Sequence, residues 1–491
     1  MTKVLLAYVN SFMDNLIPIG VSLLSACLKK AGHETRLFDT TFYRTRDVTG
    51  DEARIASLQI KSANLEEFGI KEKSADLISD FRKTIEDFKP RLIGFSDVES
   101  TYPITLKMLD GIRDYDVLKL AGGIRVTMSP EYAISEKNLD MICVGEGEGA
   151  IVDLADRLEK NQDYSDVLNL WVKKDGKITR NPLRPLANLD DLPDQDWSIY
   201  EKERFFKPMG GKVWISGPIE LARGCQKRCG FCCNAKLQDT YGIKDHYPRE
   251  RSVRNFIDEL KRKKAEFGLQ YLYLVAENFL QTSGERFREF VDLYKDIRLP
   301  FWIETRPETV NLEKVMELMK IGCEGLSIGV EHGNEKFRRE TLNRFVPNSE
   351  IIRAFDTTRG SGIRVCANNI IGFPTETREL VFDTIELNRR LQPTNIIVNI
   401  FCAYRGTKLW DLAVEKGYIS RDTIAGDYRS DAGLNMPQLS NLEIMGLQRT
   451  FPLYVRFPKE YWPEIKTAEG FDKKGEEAFA KLSDVYRKKY L

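Results

Sequence analysis

Three cysteines lie close together near the middle of this 491-residue chain. The segment Leu-Ala-Arg-Gly-Cys-Gln-Lys-Arg-Cys-Gly-Phe-Cys has the spacing Cys-x3-Cys-x2-Cys. Three thiolates from one tight loop can bind three irons of a [4Fe–4S] cluster and leave the fourth iron open to another ligand. An open coordination position is what distinguishes a catalytic metal centre from a structural one. The spacing therefore predicts a catalytic iron–sulfur cluster bound by Cys225, Cys229 and Cys232.

A zinc knuckle is the alternative interpretation, with Cys233 or His246 as the fourth ligand. Structural zinc sites usually add a second pair of Cys or His ligands farther along the chain, and this sequence has none at such a spacing. We therefore favour the iron–sulfur cluster.

The composition limits the other possibilities. The chain has 74 Lys+Arg and 74 Asp+Glu, and this balance argues against a protein that mainly binds nucleic acid or an anionic membrane. Only 3 His are present, too few for a multi-His metal centre. The N-terminus becomes polar too early for a signal peptide, and no apolar run is long enough for a membrane span. We therefore expect a cytoplasmic protein with reduced thiols.

The first 160 residues alternate between strand-like and helix-like runs. Apolar runs predict strands at 4–9, 35–38, 91–96, 118–120 and 141–144. Such alternation predicts a doubly wound, Rossmann-like parallel sheet that binds ligands at the carboxyl ends of its strands. The polar stretch 44–73 is interpreted as an insertion. A hairpin around Asp175-Gly176 and a stretch rich in Pro and Asp make 161–200 a predicted linker.

The alternation resumes in residues 201–404. Strands are predicted at 213–222, 270–276, 300–305, 325–330, 364–371 and 395–401, with helical segments between them. Six such units predict a partial (β/α)6 barrel whose site lies at the carboxyl ends of its strands, and the cysteine loop directly follows the first strand. Residues 405–491 are expected to be mostly helical and to cap the substrate site. The predicted fold class is therefore α/β, with three regions after one another along the chain.

The cysteine loop, the aromatic Phe231 before the third cysteine and the surrounding barrel resemble the radical S-adenosylmethionine (SAM) enzymes. In that family the open iron binds SAM, and an electron from a partner such as ferredoxin or flavodoxin cleaves it to a 5′-deoxyadenosyl radical. The resemblance implies that residues after successive strands contact the amino group, carboxylate, ribose and adenine of SAM, in the order Glu277, Arg306, Glu331, and Ile371 with Gly372. His332 stands where the family more often has Ser, and both a structural hydrogen bond and proton transfer to substrate stay open for it.

A doubly wound domain before such a barrel resembles the cobalamin-binding radical SAM enzymes, which include the class B radical SAM methyltransferases. The resemblance implies cobalamin-binding residues at the strand ends of residues 1–160, namely Ser96, Gly122, Gly123, Glu146 and Gly147. The loop at 10–16 has no His, although mutase-type cobalamin domains ligate cobalt from there, and His33 is expected to be structural. We therefore expect cobalamin without a His lower ligand; a domain that has lost cobalamin is the alternative.

The leading hypothesis is a cobalamin-dependent radical SAM C-methyltransferase. The resemblance implies that one SAM methylates cobalamin, and that a second yields the radical that removes hydrogen from an unactivated sp3 carbon. The resemblance implies a substrate that is a small molecule such as a natural product, a peptide or a protein side chain. Rearrangement or cyclisation without methyl transfer is the first alternative, and a non-enzymatic iron–sulfur or corrinoid-binding protein is the second. Cys402, at the end of the sixth strand, is a candidate contact for substrate or cobalamin, or simply a buried thiol.

Overall fold

A computed structural model describes residues 1–14, 16–243 and 247–491. Its strands are β1 Lys3–Tyr8, β2 Glu34–Asp39, β3 Leu92–Ser96, β4 Leu118–Gly122, β5 Met141–Cys143, β6 Leu170–Lys174, β7 Lys177–Arg180, β8 Phe206–Met209, β9 Lys212–Glu220, β10 Ala222–Arg223, β11 Arg249–Glu250, β12 Tyr271–Val275, β13 Phe301–Thr305, β14 Cys323–Glu331, β15 Arg364–Ile371 and β16 Asn395–Ile400. Its helices are α1 Ile19–Lys30, α2 Gly50–Ala56, α3 Leu77–Phe88, α4 Tyr102–Gly111, α5 Ile124–Met128, α6 Pro130–Ile134, α7 Glu148–Glu159, α8 Cys233–Tyr241, α9 Val253–Phe267, α10 Gly284–Tyr294, α11 Leu312–Lys320, α12 Glu335–Glu340, α13 Asn348–Thr358, α14 Arg378–Leu391, α15 Lys408–Glu415, α16 Asn441–Arg456, α17 Trp462–Ala468 and α18 Lys473–Tyr490.

The chain divides into two units, and each contains more than one stretch of sequence. The first unit comprises Met1–Thr49, Leu65–Phe206 and Ala235–Arg251. The second unit comprises Gly50–Asn64, Lys207–Asn234 and Ser252–Leu491. The polar stretch interpreted as an insertion therefore contributes its central part to the second unit.

The first unit is built on a sheet with the strand order β2-β1-β3-β4-β5-β6-β7. Strands β1 to β5 are parallel, and β6 and β7 continue the sheet in antiparallel pairing. Val4 and Leu6 pack into the core on one face, and Leu5 and Ala7 pack into the core on the other. A strand buried on both faces needs a continuous apolar run, which explains the sequence of β1. The turn of the hairpin between β6 and β7 lies at Asp175 and Gly176. Both residues have a positive φ (51° and 73°), as a type I′ turn requires.

The second unit is built on a sheet with the order β16-β15-β14-β13-β12-β9-β8. Strand β9 and the strands from β12 to β16 pair in parallel, with helices in the connections. This confirms the predicted partial (β/α)6 barrel, to which β8 adds a strand beside β9. The helices α15 to α18 form the mostly helical C-terminal region, as expected. In the part of the chain that is described, no helix is both long and apolar enough to cross a membrane.

Segment 50–64 covers one edge of the barrel sheet. The buried side chain of Gln59 donates from Nε2 to the carbonyl of Val398 at 3.2 Å and accepts from the Val398 amide at 2.9 Å. Leu58 is buried in the same core as the C-terminal helices. Because β16 is an edge strand with unpaired backbone groups, the Gln59 amide takes the place of a neighbouring strand at one residue.

We expect Gln59→Ala to lower the free energy of unfolding of the second unit by about 1–3 kcal/mol, because it leaves the buried Val398 amide without its partner. Urea unfolding measures this cost, and hydrogen exchange at Val398 should become faster. Gln162→Ala, at an exposed position of the first unit, is the matched control and should change neither. Unchanged exchange at Val398 in Gln59→Ala would contradict the assigned pairing.

Candidate functional site

The cysteine loop lies at the carboxyl end of β9, where the ends of β12, β13 and β14 also lie. Its three cysteines line a cavity of about 220 Å³. Seven of the residues singled out in the sequence line this one cavity, namely Cys225, Cys229, Phe231, Cys232, Glu277, Arg306 and Glu331. Each of the three charged residues comes from a different strand end, so parallel pairing brings them together.

Backbone hydrogen bonds fix the shape of the cysteine loop. The Gly230 amide donates to the Leu342 carbonyl at 2.8 Å, and the Gly230 carbonyl accepts from the Leu409 amide at 3.1 Å. At the start of the loop, the Gly224 amide donates to Glu277 Oε1 at 2.8 Å.

The sulfur atoms are surrounded by donors. Cys229 is buried and accepts from Arg306 Nη1 at 3.6 Å and from Arg344 Nη1 at 3.9 Å. Asn234 Nδ2 lies 3.6 Å from Cys232 Sγ. A hydrogen bond from Cys233 lowers the pKa of the Cys232 thiol below its ordinary value, and the Asn234 contacts act in the same direction. These donors favour the thiolate form that metal binding requires.

The spacing of the sulfurs distinguishes between the two metal interpretations. Thiolates that share one zinc ion at 2.3 Å lie about 3.8 Å apart. Among the residues that the structure describes, no three cysteine sulfurs all lie within 4.8 Å of one another. A cluster needs no such close approach, because each thiolate binds a different iron. His246, the other candidate for a zinc ligand, lies outside the described residues.

Glu331 ends β14 in an unusual backbone conformation. Its φ is +64°, and its Oε1 lies 3.8 Å from Arg344 Nη2. A Cβ on Gly329 would lie 2.4 Å from Glu331 Oε1, so the carboxylate occupies space that only glycine leaves open. Burial raises the pKa of Glu331, although Arg344 and Arg306 act against this rise. Sequence reasoning missed Arg344, because no motif includes it.

Arg306 is held by two neighbours. Its Nε donates to Glu308 Oε1 at 2.7 Å, and its amide donates to Asn278 Oδ1 at 3.1 Å. Asn278 Oδ1 also accepts from the hydroxyls of Thr305 and Thr309, both at 2.9 Å. Burial lowers the pKa of Arg306, but Cys229 and Glu308 offset this effect, and the pKa lies above its ordinary value. Arg306 therefore stays charged beside the cysteines.

The turn after β15 is organised by a buried carboxylate. Glu376 is fully buried and accepts from the amides of Gly372 and Phe373, and His332 Nε2 lies 2.9 Å from its Oε1. His332 Nδ1 accepts from the Asn334 amide at 3.0 Å. Both ring nitrogens of His332 are therefore used in hydrogen bonds within the protein, which favours the structural alternative.

Ile371 and Gly372 are not among the residues that line the cysteine cavity. Ile371 is fully buried in the core shared with the C-terminal helices. Gly372 has a φ of +82°, and a Cβ there would lie 3.3 Å from Ile444. The ring of Phe231 lies 5.8 Å from that of Phe373, which connects the cysteine loop to this turn.

In the first unit, Ser96 and Gly122 end adjacent parallel strands, and Gly123 follows with a φ of +100°. Nearby, Asp97 and Arg125 form a fully buried ion pair at 2.7 Å, and Arg125 Nη1 is buried without a hydrogen-bond partner. These groups lie at the carboxyl edge of the sheet, next to the point where the strand order reverses.

Glu146 and Gly147 follow β5 at the same edge of the sheet. The Glu146 carboxylate binds Arg249 and accepts from the Ala187 amide at 3.1 Å, and the Glu146 amide donates to the Tyr241 hydroxyl at 2.7 Å. The Glu146 side chain is thus engaged within the first unit, and Gly147 precedes α7.

The remaining candidates have structural partners. His33 precedes β2, at the amino edge of the sheet, and its Nε2 lies 3.0 Å from Asp156 Oδ1. Cys402 is buried, and its thiol donates to the Gly426 carbonyl at 3.5 Å. Among the aromatic residues of the C-terminal region, Phe451, Tyr454 and Phe457 are buried in the core.

Comparison with known proteins agrees with this architecture. The B12 binding domain family matches residues 5–155, and the radical SAM superfamily matches residues 219–387. The chain is 28% identical over 348 residues to an uncharacterized methyltransferase of Pyrococcus horikoshii, a match that covers 68% of this chain and 72% of that protein. It is 25% identical over 324 residues to the anaerobic magnesium-protoporphyrin IX monomethyl ester cyclase of Rubrivivax gelatinosus, with 64% and 56% covered.

A solved structure shares the fold over the full chain. It is the radical SAM methyltransferase TsrM of Kitasatospora setae with cobalamin and a [4Fe–4S] cluster bound. The TM-score is 0.63 at 16% identity, and the match covers 99% of this chain and 100% of that chain. The predicted fold class is confirmed.

Proposed function

We propose that the chain, whose two parts match the radical SAM superfamily and the B12 binding domain, is a cobalamin-dependent radical SAM C-methyltransferase. It transfers a methyl group to an unactivated sp3 carbon by way of a 5′-deoxyadenosyl radical. One observation carries the proposal: three cysteines with open spacing share a cavity with Glu277, Arg306 and Glu331 at the strand ends. An sp3 carbon offers no lone pair, so cofactor-borne radical chemistry is needed to methylate it.

The residues of the second unit have separate roles in this proposal. The three cysteines hold the cluster, Glu277 receives the SAM amino group, and Arg306 binds the SAM carboxylate. Phe231 supports the loop. Ile371 and Gly372 lie outside the lining of the cysteine cavity, and we propose that they support the adenine side from behind it. When bound, the cluster and SAM supply the radical, and cobalamin carries the methyl group. Arg306 and Arg344 donate to Cys229 and thereby stabilise negative charge on its sulfur.

Cobalamin would bind at the carboxyl edge of the first unit's sheet, held by Ser96, Gly122, Gly123, Glu146 and Gly147. We further propose that cobalt has no His lower ligand, since His33 lies at the opposite edge and is bound to Asp156. Electron paramagnetic resonance of the bound cob(II)alamin tests this: nitrogen superhyperfine splitting from a protein ligand would contradict it.

The functional regions are proposed to follow the chain order. Residues 1–160 are proposed to bind cobalamin, 201–404 to bind the cluster and SAM, and 405–491 to cap the substrate. Residues 161–200, predicted to be a linker, belong to the first unit and extend its sheet through β6 and β7. The electron donor is a ferredoxin or flavodoxin, and neither nucleic acid nor a membrane is needed for the reaction.

Anaerobic reconstitution with iron, sulfide and cobalamin, followed by incubation with SAM and reductant, tests the proposal. We expect 5′-deoxyadenosine to form and corrinoid to stay bound through gel filtration. A full cluster that yields no 5′-deoxyadenosine would overturn the radical SAM assignment for this chain. Mass spectrometry of proteome and metabolites, with and without the gene, should reveal the substrate as a lost mass of one methyl group.

Cyclisation or rearrangement without methyl transfer is the second candidate, and the similarity to a cyclase supports it. The two candidates differ in the fate of the SAM methyl group. Isotope-labelled SAM should leave its methyl in the product of a methyltransferase, whereas a cyclase product would carry none.

We expect Glu331→Gln to weaken SAM binding about ten- to a hundredfold, because the two ribose hydroxyls lose a charged acceptor worth about 1.5–3 kcal/mol. Equilibrium dialysis with the reconstituted protein measures this affinity. Glu340→Gln removes an exposed carboxylate nearby and should leave the affinity unchanged. Equal affinities for wild type and Glu331→Gln would remove Glu331 from the SAM site.

A further inference from the structure

A second cavity of about 700 Å³ lies inside the barrel sheet of the second unit. It shares three lining residues, Glu304, Ser327 and Asn368, with the cysteine cavity. The two cavities are therefore neighbours on the same wall. A volume of this size falls in the range of sites for small ligands.

The inner face of the barrel is polar where it lines this cavity. Successive residues of a strand point to opposite faces, so residues two apart share the inner face. Cys366 and Asn368 share it on β15, and Asn395, Ile397 and Asn399 share it on β16. A closed barrel fills this space with branched apolar side chains. The amide groups here indicate a polar occupant and argue against a hydrocarbon.

Segment 50–64 supplies a cation to the cavity. Arg54, on α2, lines it together with Asp51 and Lys61 from the same segment. Arg54 Nη2 reaches Asn399 Oδ1 at 3.4 Å, and its guanidinium lies 5.9 Å from the centre of the Tyr428 ring. Its Nε is buried without a hydrogen-bond partner. Within the described ranges, Arg54 forms no ion pair with a carboxylate, whereas Arg364 on the same cavity is paired with Glu324 at 2.9 Å.

We propose that this cavity is the substrate site and that Arg54 binds an anionic group of the substrate, either a carboxylate or a phosphoryl group. The guanidinium can donate two parallel hydrogen bonds to either group. Asn399 and the Tyr428 ring hold the guanidinium, and Asn368 and Asn395 bind further polar atoms. The reacting carbon then faces Glu304 and Ser327, where the two cavities meet. The identification of the bound anion as the substrate rests on the proposed function. The presence of an anion site at Arg54 does not.

Binding of small probes to the full, anaerobically reconstituted chain tests the proposal without requiring turnover. Calorimetry would compare benzoate and phenylphosphonate with neutral benzamide. We expect at least one anion to bind tenfold or more tightly than benzamide, and the tighter of the two distinguishes a carboxylate from a phosphoryl substrate. Arg54→Gln should abolish this preference. No preference in wild type, or an undiminished one in Arg54→Gln, would overturn the proposal.

Two further variants keep the result interpretable. Arg54→Lys retains the charge and should keep the preference for anions while weakening phenylphosphonate by threefold or more, even if Arg54→Gln fails to fold. An Arg54→Lys protein that binds benzamide as tightly as it binds the anions would also overturn the proposal. Arg288→Gln removes an exposed cation on α10 that does not line the cavity, and should bind like wild type. Loss of 5′-deoxyadenosine formation with intact anion binding would contradict the proposed function and leave the anion site standing.

Discussion

Cys225→Ala, Cys229→Ala and Cys232→Ala should each yield a protein that cannot hold a [4Fe–4S] cluster after reconstitution. We expect 5′-deoxyadenosine formation to fall by more than about a hundredfold, because losing a ligand costs more than losing a supporting hydrogen bond. Burial raises the pKa of Cys225, so metal binding must offset its preference for the thiol. Iron analysis and the visible absorbance of the iron–sulfur cluster measure the loss of the cluster.

Cys233→Ala is the matched control for these three variants. Cys233 directly follows Cys232 and opens α8, so it is the fourth sulfur that a zinc knuckle would use. We expect the Cys233→Ala protein to retain iron and to cleave SAM. At most, the reduction potential of the cluster should shift, because the hydrogen bond from Cys233 to Cys232 is lost. Zinc bound in wild type and released by Cys233→Ala would refute the cluster assignment.

Glu376→Ala is expected to lower the free energy of unfolding of the second unit by about 3–5 kcal/mol, because three buried donors lose their acceptor at once. The donors are the amides of Gly372 and Phe373 and the ring of His332. Differential scanning calorimetry measures the loss as a lower unfolding temperature. In the surviving protein we expect weaker SAM binding, since the turn after β15 is no longer held in place.

Glu376→Gln separates the role of charge from that of shape. It keeps the volume but presents an amide nitrogen to one of the donors, so an intermediate loss of stability is expected. Glu415→Ala removes an exposed carboxylate at the end of α15 and should leave the unfolding temperature unchanged. A fully stable Glu376→Ala protein would mean that the three donors find other partners.

The class of the fold could be predicted from the sequence because its signals are local. Apolar runs separated by helical segments reveal the parallel strands of the two large sheets, and each of these was found within a few residues of its position, whereas the short strands β8, β10 and β11 were not predicted. The antiparallel hairpin β6–β7 was predicted from Asp175-Gly176, but its addition to the first sheet was not. Pairing with β5 depends on a backbone register that the hairpin sequence does not encode.

The residues of the candidate site also differ in whether the local sequence could identify them. The spacing of the three cysteines is a local property of eight residues, and a strand-end acid such as Glu277 is identified by the strand before it. Arg344 was missed because it reaches Cys229 across 115 residues, with no motif around it. Its position depends on how the chain after α12 packs against the cysteine loop.

The sequence by itself therefore determined the α/β class and the cysteine spacing that makes an open cluster possible. Only the tertiary structure shows that His332 forms a hydrogen bond with Glu376 and that segment 50–64 places Arg54 at the cavity inside the barrel. Gln59 forms a hydrogen bond to Val398, which is 339 residues away in sequence. Such a contact depends on which side chains the tertiary packing brings to the edge of the sheet. Local patterns specify elements, whereas burial and pairing between distant residues specify what those elements enclose.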